Sequence, residues 1–389
     1  MTRLGGERLV QRMRGFGTTI FAEMSALAVQ TGSVNLGQGF PDTDGPAELL
    51  QAAADAIHAG HNQYPPGPGI PELRHAIAAH QQRHYGLDYD PDAEVLVTAG
   101  ATEAIAATVT ALAGPGDEVV MFEPYYDSYA ATVALGGATR RVVTLRRDGG
   151  GVAGGGWAFD PDELRRAISA RTKVILLNTP HNPTGKVFTT DELEIIAGLA
   201  REHDLVVVAD EVYEHLTFDG RPHVPIATLP GMRERTITIS SAGKTFSVTG
   251  WKIGWLCAPP DLLTAARTVK QFLTYVNGAP FQPAVAAALG GDVSALAPRL
   301  QAQRDLLCEG LWQLGYDVIT PQATYFATVD VGRDAVAFCR ELPVRAGVVA
   351  IPSSAFYDSD AGDRYVRFAF CKRPDVLNNA LARLKEAAP

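Results

Sequence analysis

The spacing of apolar residues changes character near residue 94 and again near residue 280. Before residue 94 the pattern is helical and interrupted by bends. Helices are expected over 18–30, 47–59 and 71–85, with Pro71 in a first turn that needs no N–H from it. Between them, Asn35-Leu36-Gly37-Gln38-Gly39-Phe40-Pro41 and Asn62-Gln63-Tyr64-Pro65-Pro66-Gly67-Pro68-Gly69 cannot continue a helix. From residue 94, short apolar runs alternate with helical stretches. Strands are expected at 94–98, 118–122, 138–145, 173–177, 205–209 and 236–239, and helices over 103–113, from Asp160, and over 189–203. The runs at 173–177 and 205–209 are apolar almost throughout, as in strands buried on both faces. Asp160-Pro161-Asp162-Glu163 supplies a cap, a proline at the first helical position and an acid in the first turn, and Thr189 and Glu192 have capping-box spacing. Beyond Trp255 the pattern is mainly helical (261–275, 283–289, 298–314), with short strands near 325–329 and 365–370.

Strands alternating with helices predict an α/β fold whose central sheet is mostly parallel and covered on both faces. The pattern change divides it into a large domain over 45–279 and a smaller α/β domain over 280–389. Residues 1–44 are expected to form an N-terminal arm and part of the small domain. The glycine-rich piece 149–156 reads as a mobile surface turn, since it lacks phosphate-loop spacing.

Composition narrows the class. A chain of 389 residues suits two or three domains, and 46 % hydrophobic with 20 % charged residues is ordinary for a globular protein. The net charge of -9 argues against a nucleic-acid partner. Cys257, Cys308, Cys339 and Cys371 form no CxxC pair and no zinc-finger spacing, so neither disulfides nor a metal are expected. No apolar run reaches membrane-spanning length, and the arginine-bearing N-terminus lacks the apolar core of a secretory signal. A cytoplasmic protein with no membrane partner is expected.

In open parallel sheets, ligands bind beyond the carboxyl ends of the strands. Those ends here carry Ala101 and Thr102, Tyr125 and Tyr126, Asn182, Asp210 with Tyr213, and Ser241 with Lys244. Each alone has an ordinary explanation as a cap, a turn or a core edge. Together they supply what pyridoxal 5'-phosphate requires. Lys244 can hold the aldehyde, and Asp210 can stabilise the protonated ring nitrogen. Asn182 and Tyr213 can donate to the ring oxygen, and Tyr126 (or Tyr125) can cover the ring face. Ala101 and Thr102 at a helix start, Ser241 and Lys252 suit the phosphate. The segment from Gly250 to Trp255 is expected to return the chain into the sheet.

In these elements the chain resembles the class I aminotransferases, PLP-dependent enzymes of fold type I, over nearly its full length. The resemblance rests on 35–41, Asn62-Gln63-Tyr64, Asn182-Pro183-Thr184-Gly185, Asp210-Glu211-Val212-Tyr213, Ser241-Ala242-Gly243-Lys244 and Arg367-Phe368. It implies that Lys244 carries the cofactor and shuttles the proton, with Asp210 and Tyr213 completing the catalytic set. It further implies that Arg367 clamps the substrate α-carboxylate, helped by Asn182 and the backbone near Gly37. Tyr64 would reach the phosphate of a neighbouring subunit, which implies a homodimer with shared active sites. Lys252 stands where many relatives have arginine, and either cation can neutralise phosphate.

Within the class, 35–42 and 123–129 are similar to the kynurenine/glutamine transaminase branch. Segments 21–27, 62–69, 99–105 and 278–283 are similar to actinobacterial N-succinyldiaminopimelate aminotransferases. The implied reaction is ping-pong transfer from an amino donor, glutamate, to N-succinyl-2-amino-6-oxopimelate in lysine biosynthesis. The alternative is a kynurenine- or glutamine-type transaminase with cysteine-conjugate β-lyase activity. A catalytically silent regulator of the same fold is disfavoured, because such regulators carry a DNA-binding domain ahead of it and the matching motifs here begin by residue 35.

Overall fold

The computed structural model describes residues 8–17, 19–148 and 156–387. Its centre is a seven-stranded sheet. In spatial order the strands are Val95–Ala99, Ile253–Cys257, Thr236–Ser241, Val206–Asp210, Thr172–Asn178, Glu118–Glu123 and Thr139–Thr144. Ile253–Cys257 is antiparallel to both neighbours, and the remaining pairs are parallel. The apolar runs explain why the sheet is buried on both sides. Successive side chains point to opposite faces of a strand. Val119, Met121, Val174, Leu176 and Val208 join one core with Ala104, Ile105 and Val109 of the helix Gly100–Leu112. Val120, Phe122, Ile175, Leu177 and Val207 join the other with Leu193, Ile196 and Ala197 of the helix Thr190–Glu202. Each such aliphatic side chain contributes about 1.5–3 kcal/mol by leaving water. The Thr189–Glu192 capping box is formed, which fixes where the second helix begins.

A second, four-stranded antiparallel sheet has the order Asp317–Ile319, Phe326–Asp330, Tyr365–Ala369, Ile351–Pro352. Its core includes Met24, Ala28 and Leu36 from the N-terminal segment. Val34–Asn35 pairs in parallel with Val348–Val349, so the beginning of the chain is tied to its last quarter. The helix Phe281–Leu289 packs instead among Leu49, Leu73, Ile77 and Trp255 beside the large sheet. A boundary drawn at residue 280 therefore cuts through one core. Packing changes sides after this helix, where the sequence pattern had changed before it.

Other differences have local reasons. The helix expected to reach residue 275 stops at Lys270, whose Nζ donates to the carbonyls of Tyr275 (2.6 Å) and Gly67 (3.2 Å) and ties down the turn that follows. Asp127–Gly136 is a helix that the pattern did not mark, because it is short and its small residues dilute the apolar spacing. Ala335–Ala346 was hidden by Pro343 in its last turn. Pro374–Glu386 was legible, with Pro374 at its start and Leu377, Ala380 and Leu384 on one face, and was not read. The piece expected to be a mobile turn, 149–156, lies outside the described residues except for Gly156. Among the described residues no helix is long and apolar enough to cross a membrane.

Candidate active site

Strand register brings the candidate residues to one edge of the large sheet. Asn178 stands opposite Asp210, and Asp210 opposite Ile239, two residues before Ser241. Ile253–Cys257 runs the other way, so its first residue faces Ala99, and Lys252 arrives beside Gly100. Gly254 makes this approach possible. A side chain there would meet the backbone of Gly100 and Ala101 at 2.5–2.7 Å. A cavity of about 390 Å³ opens at this edge. Ala101, Thr102, Tyr126, Asn182, Asp210, Tyr213, Ser241, Lys244, Lys252 and Arg367 all line it.

Lys244 lies in the one-turn helix Ala242–Thr245 that follows Ser241. Its Nζ donates to the Gly39 carbonyl at 3.4 Å and stands 5.6 Å from the centre of the Tyr213 ring. Burial, above all, pushes its pKa down, and Arg367 and Lys252 push the same way, against Asp210 and Cys371. A neutral amine is the nucleophilic form. Tyr325 holds the backbone of this turn, donating from its hydroxyl to the Lys244 carbonyl at 2.7 Å.

Asp210 is buried, and burial raises its pKa. Two donors work against that rise: the Tyr129 hydroxyl on Oδ2 at 2.5 Å and the Val212 amide on Oδ1 at 3.3 Å. Donors that favour the ionised carboxylate in a closed site are what a cationic ring nitrogen needs opposite it. Tyr129 had been quoted only within the resembling segment 123–129 and was given no role. Its signal was the spacing from Tyr126 to Tyr129, but the helix that carries it was not predicted. Removing its donor should raise the Asp210 pKa further. Activity that needs ionised Asp210 is lost as pH falls through that pKa. The acid limb of a Tyr129→Phe pH–rate profile is therefore expected at higher pH than in the parent, and an unmoved limb would show that Tyr129 does not tune Asp210.

Arg367, from the middle of Tyr365–Ala369, is buried beneath the opposite wall. Its Nη1 donates to Asn182 Oδ1 (3.2 Å) and its Nη2 to the Gly37 carbonyl (3.1 Å), while its buried Nε has no partner among the described residues. Phe326, Phe356 and Phe21 surround the guanidinium at 3.9, 4.8 and 5.2 Å. Burial lowers its pKa to about 10, so it stays charged at neutral pH. A charged fork with unused donors in an aromatic box suits a carboxylate. Asn182 is placed by Asn178, whose Oδ1 accepts from the Asn182 amide (2.7 Å) and whose Nδ2 donates to the Asp210 carbonyl (2.8 Å). Asn178, like Phe21 and Phe326, was missed. It reads as the last residue of a buried strand.

The other end of the cavity is built for an anion. Ala101 and Thr102 are in the first turn of Gly100–Leu112, where amides lack helical acceptors. Gly100 has φ +73°, and a Cβ on it would lie 3.2 Å from Lys252 Nζ. Ser241 precedes the Lys244 turn. Tyr64 is not brought to the cavity by its own chain and is 82 % exposed. Tyr125 points away, donating to Asp358 Oδ1 at 2.7 Å, which leaves Tyr126 as the candidate for the ring face. Amine, buried carboxylate, amide, phenol and anion cradle fit pyridoxal 5'-phosphate, and the chemistry of this donor set matches each part of it.

The chain belongs to the aminotransferase class I and II family, whose model matches residues 31–384. It is a PLP-dependent aminotransferase of fold type I, moving an amino group between an amino acid and a keto acid. Among its relatives is a probable N-succinyldiaminopimelate aminotransferase of Mycobacterium tuberculosis, 54 % identical, with 97 % of this chain and 98 % of that one covered. The methionine aminotransferase of Escherichia coli is 39 % identical, with 95 % and 96 % covered. The solved structure of N-succinyldiaminopimelate aminotransferase from Mycobacterium tuberculosis superposes with a TM-score of 0.94 at 55 % identity, over 98 % of this chain and all of that one (100 %).

Proposed function

We propose that this aminotransferase takes an amino group from glutamate and passes it to N-succinyl-2-amino-6-oxopimelate, in lysine and diaminopimelate biosynthesis. The observation that carries the reading is 54 % identity, over 97 % of the chain, to a probable N-succinyldiaminopimelate aminotransferase, against 39 % for a methionine and a kynurenine transaminase. When bound, pyridoxal 5'-phosphate supplies a conjugated ring that takes up the electron pair left when the substrate Cα–H bond breaks. The chain's own residues do the rest. Lys244 would hold the cofactor covalently between turnovers and then, as the freed amine, would carry the proton from the substrate Cα to the cofactor C4′. Asp210 keeps the ring nitrogen charged, Asn182 and Tyr213 fix the ring oxygen, and Tyr126 covers the ring face. Ala101, Thr102, Ser241 and Lys252 hold the phosphate. Arg367 binds the α-carboxylate, positioned by Asn182 and Gly37. The test is competition among acceptors and donors. With glutamate as donor, kcat/KM for the succinylated oxopimelate is expected to exceed that for the keto acids of kynurenine and methionine by at least ~10-fold. Preference for either of the latter would replace this reading with the kynurenine/glutamine-type one.

The same proposal includes a cytoplasmic homodimer. Support comes from an exposed aromatic patch in which Tyr64 (82 %), Phe272 (83 %) and Tyr275 (54 %) face outward, with the Tyr64 and Tyr275 rings 5.5 Å apart. Tyr64 would complete the phosphate site of the partner. A monomeric mass for the active holoenzyme in sedimentation would remove this part. The two-domain division is proposed with its second boundary moved past Leu289, as core packing suggests.

A further inference from the structure

Behind the Tyr213 wall three imidazoles converge. His80 and His84 lie four residues apart on the helix Pro71–Tyr85 and so share a face. His215 comes two residues after Tyr213. One ring nitrogen from each lies within 4.8 Å of those of the other two. His80 Nε2 and His215 Nε2 are 3.0 Å apart. Ring centres are separated by 4.5 Å (His80–His84), 4.9 Å (His80–His215) and 4.9 Å (His84–His215). Glu214 adds a carboxylate. Its Oε2 is 3.6 Å from His80 Nε2 and 3.9 Å from His215 Nε2. Its Oε1 accepts from Ser240 at 2.5 Å.

None of these four residues lines the cavity, and the transamination chemistry uses none of them. The His80–His215 and Ser240–Glu214 hydrogen bonds account for part of the cluster. Among the described residues, buried Glu214 Oε2 and His80 Nδ1 have no hydrogen-bond partner, and such atoms are costly to leave unpaired. A tetrahedral zinc ion with Zn–N of about 2.0–2.1 Å holds its donor atoms about 3.3 Å apart and its imidazole centres about 5 Å apart. The observed separations straddle the first value and approach the second. His84 is exposed, which gives an ion a way in.

We propose that His80, His84 and His215, with Glu214 as a fourth donor, form a binding site for a zinc-type divalent cation. Three imidazole nitrogens and one carboxylate oxygen suit zinc or cobalt and do not suit magnesium. The ion would pin Pro71–Tyr85 to the segment behind Tyr213 and so brace one wall of the active site.

The experiment uses holoenzyme made without a polyhistidine tag, stripped with chelator and titrated with Co²⁺. The expected result is one Co²⁺ per chain, with the intense visible bands of tetrahedral cobalt at longer wavelength than the cofactor absorbs. Zn²⁺ should displace it and Mg²⁺ should not. Added Zn²⁺ should raise the thermal midpoint by about a few degrees. His84→Ala, a change at an exposed position, should lower Co²⁺ affinity by at least ~10-fold and leave transamination intact. Absence of stoichiometric Co²⁺ in the parent protein, the weak spectrum of an octahedral ion, or unchanged affinity in His84→Ala would each overturn the proposal. The parent's cobalt spectrum decides even where the variant does not fold.

Discussion

Lys244→Ala is expected to lower turnover by about 10⁴-fold or more and to erase the visible band of lysine-bound cofactor. Two losses combine. The substituted chain has no amine to hold the aldehyde, and it has no base at the substrate Cα. Burial depresses the Lys244 pKa and so favours the neutral, nucleophilic amine that the substitution removes. Among the residues lining the cavity, the other cations are Lys252 and Arg367. Lys252 sits over Gly100 at the anion end, and Arg367 is committed to Asn182 and Gly37. The fold should survive, since the Lys244 side chain makes one long hydrogen bond, 3.4 Å to Gly39. Absorbance and single-turnover measurements on the purified variant check this. Full transamination by Lys244→Ala would sink the proposed role.

Arg367→Ala is expected to cut kcat/KM for the amino donor by about 10²–10³-fold, chiefly through KM. A charge-assisted hydrogen bond contributes roughly 1.5–3 kcal/mol, and a bidentate clamp offers two. The variant also strips donors from Asn182 Oδ1 and the Gly37 carbonyl, and it leaves Phe326, Phe356 and Phe21 around a void. Some loss of stability is therefore expected beside the kinetic effect. Arg367→Lys separates the two: it keeps a cation in the aromatic box but loses the planar fork. An unchanged amino-acid affinity in Arg367→Ala, with the cofactor band intact, would take Arg367 out of the substrate site.

Much of the large sheet was legible because strands such as 173–177 and 205–209 are nearly unbroken apolar runs followed by polar groups at their carboxyl ends. That pattern placed Asp210, Lys244 and the start of Gly100–Leu112 near one another before any coordinates. Position within the site was less legible. Tyr129 and Asn178 act on Asp210 and Asn182 through contacts 81 and 4 residues apart in sequence, and neither stands out from its neighbours. The sequence put Tyr126 ahead of Tyr125 for the ring face, but which of two adjacent rings faces the cavity depends on where the following helix starts. Phe21 and Phe326 come from distant segments and become neighbours of Arg367 only through the second sheet. The histidine cluster was overlooked for the same reason. His80 and His84 show helical spacing, but nothing in the sequence announces that His215 lies opposite them.

The tie between Val34–Asn35 and Val348–Val349 has a consequence for how the enzyme is made. A chain emerging from the ribosome displays the proposed cofactor groups, Ala101 to Lys252, long before Arg367. Met24, Ala28 and Leu36 emerge first of all, yet the core they enter includes residues as late as Leu384. That core is complete only once the last segment has been made, and the Gly37 carbonyl waits as long for Arg367. The cofactor half of the site is thus available early, and the substrate half closes only when the last segment meets the first.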